Sequence, residues 1–242
     1  MTDRSTSRDD ELRRRLCLVE DEIAAACVAA GRSREELTLV AITKTYPASD
    51  VASLAALGVT DVGENRHPEA RDKREELEDV LPGGAHMPRL HFVGGLQTNK
   101  AGQVARYADV VQSVDRLKLA RSLSRGAEAA EREIEVLVQV DFGGEDAGRA
   151  GAEPAEVPAL ADTIAELPGL RLRGVMTVAP LGADPASSFE HLARIGERLR
   201  QDHPAADIVS AGMSGDFATA IAHGATHLRI GRSILGERPP LQ

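Results

Sequence analysis

One pattern restricts this chain more than any other: eight short β-rich runs alternate with stretches of helical periodicity. The runs are Leu37 to Ile42, Thr60 to Val62, Leu90 to Val93, Val110 to Ser113, Ile134 to Val140, Leu170 to Met176, Ile208 to Val209 and His227 to Ile230. Helical segments lie between them, from Ser49 to Leu57, Pro68 to Val80, Lys100 to Tyr107, Arg116 to Ala130, Pro154 to Leu167, Pro185 to Gln201 and Gly215 to His223. Successive strands joined by helices pair in parallel through right-handed crossovers. Eight such units fill a ring, so the expected fold is α/β, a single (β/α)8 barrel of the TIM type. Ahead of it, Asp9 to Ala30 carries an apolar stripe of Leu12, Leu16, Val19, Ile23 and Val28 and stops at Gly31. The expected organisation is an N-terminal helical extension over residues 1–36, packed on a barrel over residues 37–242.

A length of 242 residues is ordinary for one such barrel. Aromatic residues make up only 2% and Trp is absent, so Ala, Val, Leu and Ile must build the core. The net charge of −9 argues against a broad nucleic-acid surface, which needs clustered Lys and Arg. It leaves room for one small anion in a local pocket. Cys17 and Cys27 have neither disulfide nor metal spacing and read as buried or idle thiols. The polar start has no signal-peptide core, and no apolar run is long enough to cross a bilayer. The expectation is a cytoplasmic monomer that does not bind membranes.

Ligands of such barrels bind at the C-terminal ends of the strands. Lys44 follows the first strand directly after Leu39-Val-Ala-Ile42. A lysine there is either a partly desolvated amine able to attack an aldehyde or a side chain that reaches out to solvent. Asn65, after Gly63-Glu64, is either a helix cap or a ligand donor. Gly94, Gly95, Gln97, Asn99 and Lys100 follow the third strand, with Asn99 read as a cap, and Asp115 reads as a cap after the fourth. The fifth loop is glycine-rich, with Gly143, Gly144, Gly148 and Gly151.

The last two loops are the most informative. Ser210-Ala-Gly212-Met213-Ser214-Gly215-Asp216 leads into a helix whose free N–H groups suit an anion. His227-Leu-Arg229-Ile-Gly231-Arg232-Ser233 closes the eighth strand and turns through a glycine. Phosphate sites in these barrels often occupy the loops after strands seven and eight. A lysine across the mouth from such a cradle suggests a phosphorylated aldehyde, and pyridoxal 5′-phosphate (PLP) forms a Schiff base with lysine. Arg229 is the candidate partner for its ring nitrogen. A guanidinium cannot protonate a pyridine, so it would keep the ring a weak electron sink. The alternative for Arg229 is a salt bridge to a neighbouring carboxylate.

Taken in order, these segments resemble the PLP homeostasis (PLP-binding) protein family. The resemblance runs through Val40-Ala-Ile-Thr-Lys44-Thr45, Gly63-Glu-Asn65, His91-Phe-Val-Gly94 with Leu96-Gln97 and Asn99-Lys100, and Ser113-Val-Asp115. It continues through Leu172-Arg-Gly-Val-Met176, Gly212-Met213-Ser214 with Asp216, and Arg229-Ile-Gly231 with Gly236. It implies a barrel like the N-terminal domain of alanine racemases, with Lys44 carrying PLP. It also implies Ser214 and the Gly231 turn on the phosphate, Arg229 on the ring nitrogen, and a role in PLP and amino-acid homeostasis without established catalysis. Apo PLP-dependent enzymes are the implied recipients. Departures from the family pattern are Leu90 for a usual Trp, Pro68-Glu69 where Gln-Glu normally follows Gly-Glu-Asn, Ala211 for Met and Arg149 for Lys.

Two rival readings stand beside this one. A racemase-like enzyme needs acid and base on both faces of the cofactor, and Tyr46 is the candidate for the second face. A sugar-phosphate barrel using Lys44 as an aldolase-type amine fits the cradle but not the motif series.

Overall fold

Within each β-rich run, alternate residues point to opposite faces of the sheet. In the computed structural model, which describes residues 3–81, 86–143, 150–180, 182 and 184–237, those runs close into a barrel of eight parallel strands. They are β1 (Thr38–Ile42), β2 (Asp61–Glu64), β3 (Arg89–Phe92), β4 (Val110–Val114), β5 (Ile134–Gln139), β6 (Leu170–Met176), β7 (Ile208–Ser210) and β8 (His227–Ile230). Each strand pairs with its successor, and β8 returns to β1 with Arg229 opposite Val40. The helices are α1 (Asp3–Ala29), α2 (Ala48–Ala56), α3 (Glu69–Val80), α4 (Thr98–Val104), α5 (Leu117–Ala129), α6 (Val157–Glu166), α7 (Pro185–Asp202), α8 (Phe217–Ala222) and α9 (Arg232–Leu235). Gly144, Gly148 and Arg149 of the fifth loop lie outside the described residues, as do residues 238–242.

The outward face of the sheet and the inward faces of the helices share one apolar core. Leu39, Ala41, Val62, Leu90, Phe92, Val111 and Ile134 meet Val51, Leu54, Leu77, Leu119 and Leu123 there. Burying each large side chain of this kind is worth about 1.5–3 kcal/mol. The inward face differs. Val40, Val110, Leu137, Met176 and Ile208 are buried there, the last three as a small separate cluster, but His91, Gln112, Ser210 and Arg229 are buried among them.

α1 lies across α2, α8 and α9, covering the place where the ring closes. Leu12, Leu16, Val19 and Ile23 are buried as the stripe requires, whereas Val28 is 79% exposed. A step of four from Ile23 reaches Cys27, which is buried; Val28 lies about 100° further round the helix. Cys17 and Cys27 are both free thiols. α9, a single turn too short to show periodicity, is absent from the sequence reading. Among the described residues no helix is long and apolar enough to cross a membrane.

Candidate functional site

Strands β1, β7 and β8 deliver their following loops to one side of the barrel mouth, and a cavity of about 270 Å³ opens there. Its walls are Ile42, Lys44 and Tyr46 after β1, Met213, Ser214 and Gly215 after β7, and Arg229, Gly231, Arg232 and Gly236 from β8 onward. Lys44, Met213, Ser214, Arg229, Gly231 and Arg232 therefore meet, as the motif order anticipates. Gly212 and Ser233, adjacent in the chain to Met213 and Arg232, are not among the wall residues.

The Lys44 segment is held from below. Lys73 of α3, buried, donates to the Thr43 carbonyl at 2.9 Å and to Glu64 Oε1 at 2.6 Å. Thr43 Oγ1 donates to the same carboxylate oxygen at 2.6 Å. Burial pushes the Glu64 carboxyl up, against the opposing pull of Lys73. Thr45, next to Lys44, has φ of 72°, a conformation that non-glycine residues reach only when neighbours impose it. Glu69 supplies one such restraint by accepting the Thr45 N–H at 2.8 Å. The sequence reading missed Glu64 and Lys73, whose charges on a strand end and a helix give no local sign of meeting.

Gly212 explains the shape of the seventh loop. Its φ is +91°, and a Cβ there would come within 2.7 Å of Ala220 and 3.0 Å of Phe217 Cα. Asp216 Oδ1 then accepts the Met213 N–H at 2.6 Å and tightens the turn. Ser214 is left half-buried at the rim, and Met213 is exposed. Across from it, Gly231 lets the chain pass beside the Ile42 carbonyl, which a Cβ would approach to 3.0 Å. α8 and α9 are too short for much of a helix dipole, so the cradle depends on local N–H groups and the exposed Arg232.

Arg229 is 5% exposed. Its guanidinium donates to Ser210 Oγ at 2.7 Å and to the Thr177 carbonyl at 2.6 Å, and among the described residues it has no ion pair. The anticipated alternative, a salt bridge to a carboxylate, is thus replaced by two neutral acceptors. Burial lowers its pKa to about 10, so it stays cationic near neutral pH. Among the described residues two of its five N–H groups have protein acceptors, which leaves donors for a ligand.

Asn65 is neither a cap nor part of the cavity wall: α3 begins at Glu69, and the Asn65 backbone packs against Gly94. Asn99 lies inside α4, whose N-cap is Gln97, and Asp115 pairs with Arg116 instead of capping α5. Tyr107 sits in the turn after α4, its hydroxyl 3.2 Å from His67. Tyr46 is buried; its hydroxyl donates to the Gly236 carbonyl at 2.8 Å, and the Arg8 guanidinium lies 5.8 Å from its ring centre.

The set fits a small phosphorylated aldehyde: one amine, one buried cation with donors to spare, and two glycine-shaped turns that bring Ser214 and Arg232 to the same cavity. Comparisons with known proteins agree with it. The family described as alanine racemase, N-terminal domain, matches residues 26–239. The pyridoxal phosphate homeostasis protein of Mycobacterium tuberculosis is 40% identical, over 96% of this chain and 94% of that one. Its namesake from Escherichia coli is 37% identical over 95% and 97%. The structure of PipY from Synechococcus elongatus with PLP bound has a TM-score of 0.79 at 30% identity, covering 93% of this chain and all of that one. On this evidence the chain belongs to the pyridoxal phosphate homeostasis protein family, built on the alanine racemase N-terminal barrel.

Proposed function

We propose that this protein holds PLP at its barrel mouth as a Schiff base on Lys44 and serves PLP and amino-acid homeostasis as a carrier. The observation that supports this reading is the convergence on one cavity of Lys44, the Met213–Gly215 and Gly231–Arg232 turns, and Arg229. PLP, when bound, supplies an aldehyde that condenses with an amine and a ring that withdraws electrons. Lys44 offers the amine. Ser214, the Gly231 turn and Arg232 would hold the phosphate, and Arg229 would face the ring nitrogen without protonating it. Gly212 and Ser233 would support these contacts by setting the turns that carry Met213 and Arg232.

A carrier role is favoured over racemisation by Tyr46. Its hydroxyl is committed to the Gly236 carbonyl, and its ring is flanked by Arg8, so it is poorly placed to move a proton. Apo PLP-dependent enzymes are the proposed recipients, with the protein acting as a cytoplasmic monomer.

The test is to purify the protein with PLP and record the visible absorption of the lysine-bound cofactor. Lys44→Ala should abolish that band; an unchanged band would overturn the assignment. Amino-acid racemisation lost on Tyr46→Phe would overturn the carrier reading.

A further inference from the structure

The inside of the barrel holds a continuous hydrogen-bonded relay. Arg229 donates to Ser210 Oγ at 2.7 Å, and Ser210 donates to Gln112 Oε1 at 2.7 Å. Gln112 Nε2 lies 2.8 Å from His91 Nδ1, and His91 Nε2 lies 2.8 Å from Asp61 Oδ1. Thr60 Oγ1 donates to the other Asp61 oxygen at 2.7 Å. The relay crosses five strands, β8, β7, β4, β3 and β2. It begins at the cavity wall and ends at Asp61, the first residue of β2, at the opposite end of the barrel. All five side chains are buried.

The two ends set its direction. A guanidinium can only donate and a carboxylate can only accept. His91 must therefore present Nε2–H to Asp61, which leaves Nδ1 to accept from Gln112. Gln112 then offers its oxygen to the Ser210 hydroxyl hydrogen, and Ser210, donating to Gln112, offers a polarised oxygen to Arg229. Reversed, Ser210 Oγ would receive two donors, and its own proton would have no acceptor among these partners. Aligned hydrogen bonds in a dry interior strengthen one another, so the far carboxylate is felt at the near guanidinium.

We propose that Asp61 is a positioning residue for the cavity: by fixing the direction of this relay it holds Arg229 in place for the ligand. The proposal rests on the PLP reading above, since it takes Arg229 to be a ligand contact. Asp61 touches no part of the cavity wall and acts only through His91, Gln112 and Ser210.

Asp61→Asn keeps the shape but can donate as well as accept, so the direction is no longer imposed. Two measurements on the full chain separate this proposal from the cofactor assignment. In protein free of PLP, nitrogen NMR of His91 should show the neutral Nε2–H form in the parent and a shift toward Nδ1–H in Asp61→Asn. An imidazolium in the parent, or an unchanged tautomer in the variant, overturns the relay whatever the ligand proves to be. With PLP added, Asp61→Asn and Gln112→Leu should each shift the absorption maximum and weaken retention by about tenfold, the effect of losing one charge-assisted hydrogen bond. The double variant should be no weaker than either single one, because a cut relay cannot be cut twice. Simple addition of the two effects, or a parent-like spectrum in Asp61→Asn, overturns the proposal. Should Asp61→Asn not fold, His91→Gln, which can still accept and donate, should keep the parent spectrum while His91→Leu loses it; identical spectra in both overturn it. Absence of a PLP band in the parent itself refutes the cofactor reading and leaves the histidine measurement to decide the relay.

Discussion

The two faces of the same eight-stranded sheet were built to different rules. The outward face is a broad apolar seam of Leu, Val, Ala and Phe92 against the helices, broken beside α3 by the buried Thr43–Glu64–Lys73 cluster. The inward face is a small apolar cluster of Leu137, Met176 and Ile208 interrupted by Asp61, His91, Gln112, Ser210 and Arg229. Barrel interiors are commonly filled by branched apolar residues, which pack densely and leave nothing unpaired. The seam is where stability is generated. The polar interior converts the barrel axis into a support for one side of its mouth, where buried groups are tolerated because each has a partner.

That contrast can be broken experimentally. The largest stability effect should come from the seam: Phe92→Ala, at a site 1% exposed, should cost about 3–5 kcal/mol in denaturant unfolding. PLP retention in the folded fraction should be little changed. A loss under 1 kcal/mol would mean that the seam is not the dominant core.

The next effect belongs to the inward face in acid. Burial lowers the His227 pKa from 6.5 to about 4; Asp61 pulls the other way, while Arg89 and Arg173 reinforce the lowering. The unfolded chain takes up this proton near pH 6.5 and the folded chain only near pH 4, so acidification through that window favours unfolding. The contribution is up to about 3 kcal/mol. Urea midpoints measured from pH 7 to pH 4 should fall less steeply in His227→Gln; parallel curves would remove His227 from the account.

The smallest stability effect should be at Arg229. Arg229→Met replaces a buried cation by an apolar chain while leaving Ser210 Oγ and the Thr177 carbonyl short of a donor. These terms oppose each other, so stability should move by only about 1 kcal/mol. PLP retention should nonetheless fall at least tenfold. A variant as retentive as the parent would make Arg229 structural.

Much of this was legible in the sequence because it is local. The spans of β6 and β8 match their apolar runs, and the Gly212 and Gly231 turns announced themselves by their glycines. The cap assignments of Asn99 and Asp115 failed, as did the cap alternative for Asn65, because helix starts shift by a few residues with tertiary contacts. Gly63 and Glu64, read as a strand end, lie inside β2 because pairing with β3 extends it. The relay was hidden for a different reason. His91, Gln112, Ser210 and Arg229 each occupy an unremarkable position in a β-rich run, and only closure of the ring joins Gln112 and Ser210, 98 positions apart in sequence, through one hydrogen bond.

The proposed site of the cofactor, Lys44, is one of only four lysines in the chain, with Lys73, Lys100 and Lys118. Borohydride reduction of the PLP-loaded protein, followed by proteolysis and mass spectrometry, reads out which of them is modified. The expected result is a phosphopyridoxyl group on Lys44 alone; the group on Lys73, Lys100 or Lys118 with Lys44 unmodified would overturn the assignment.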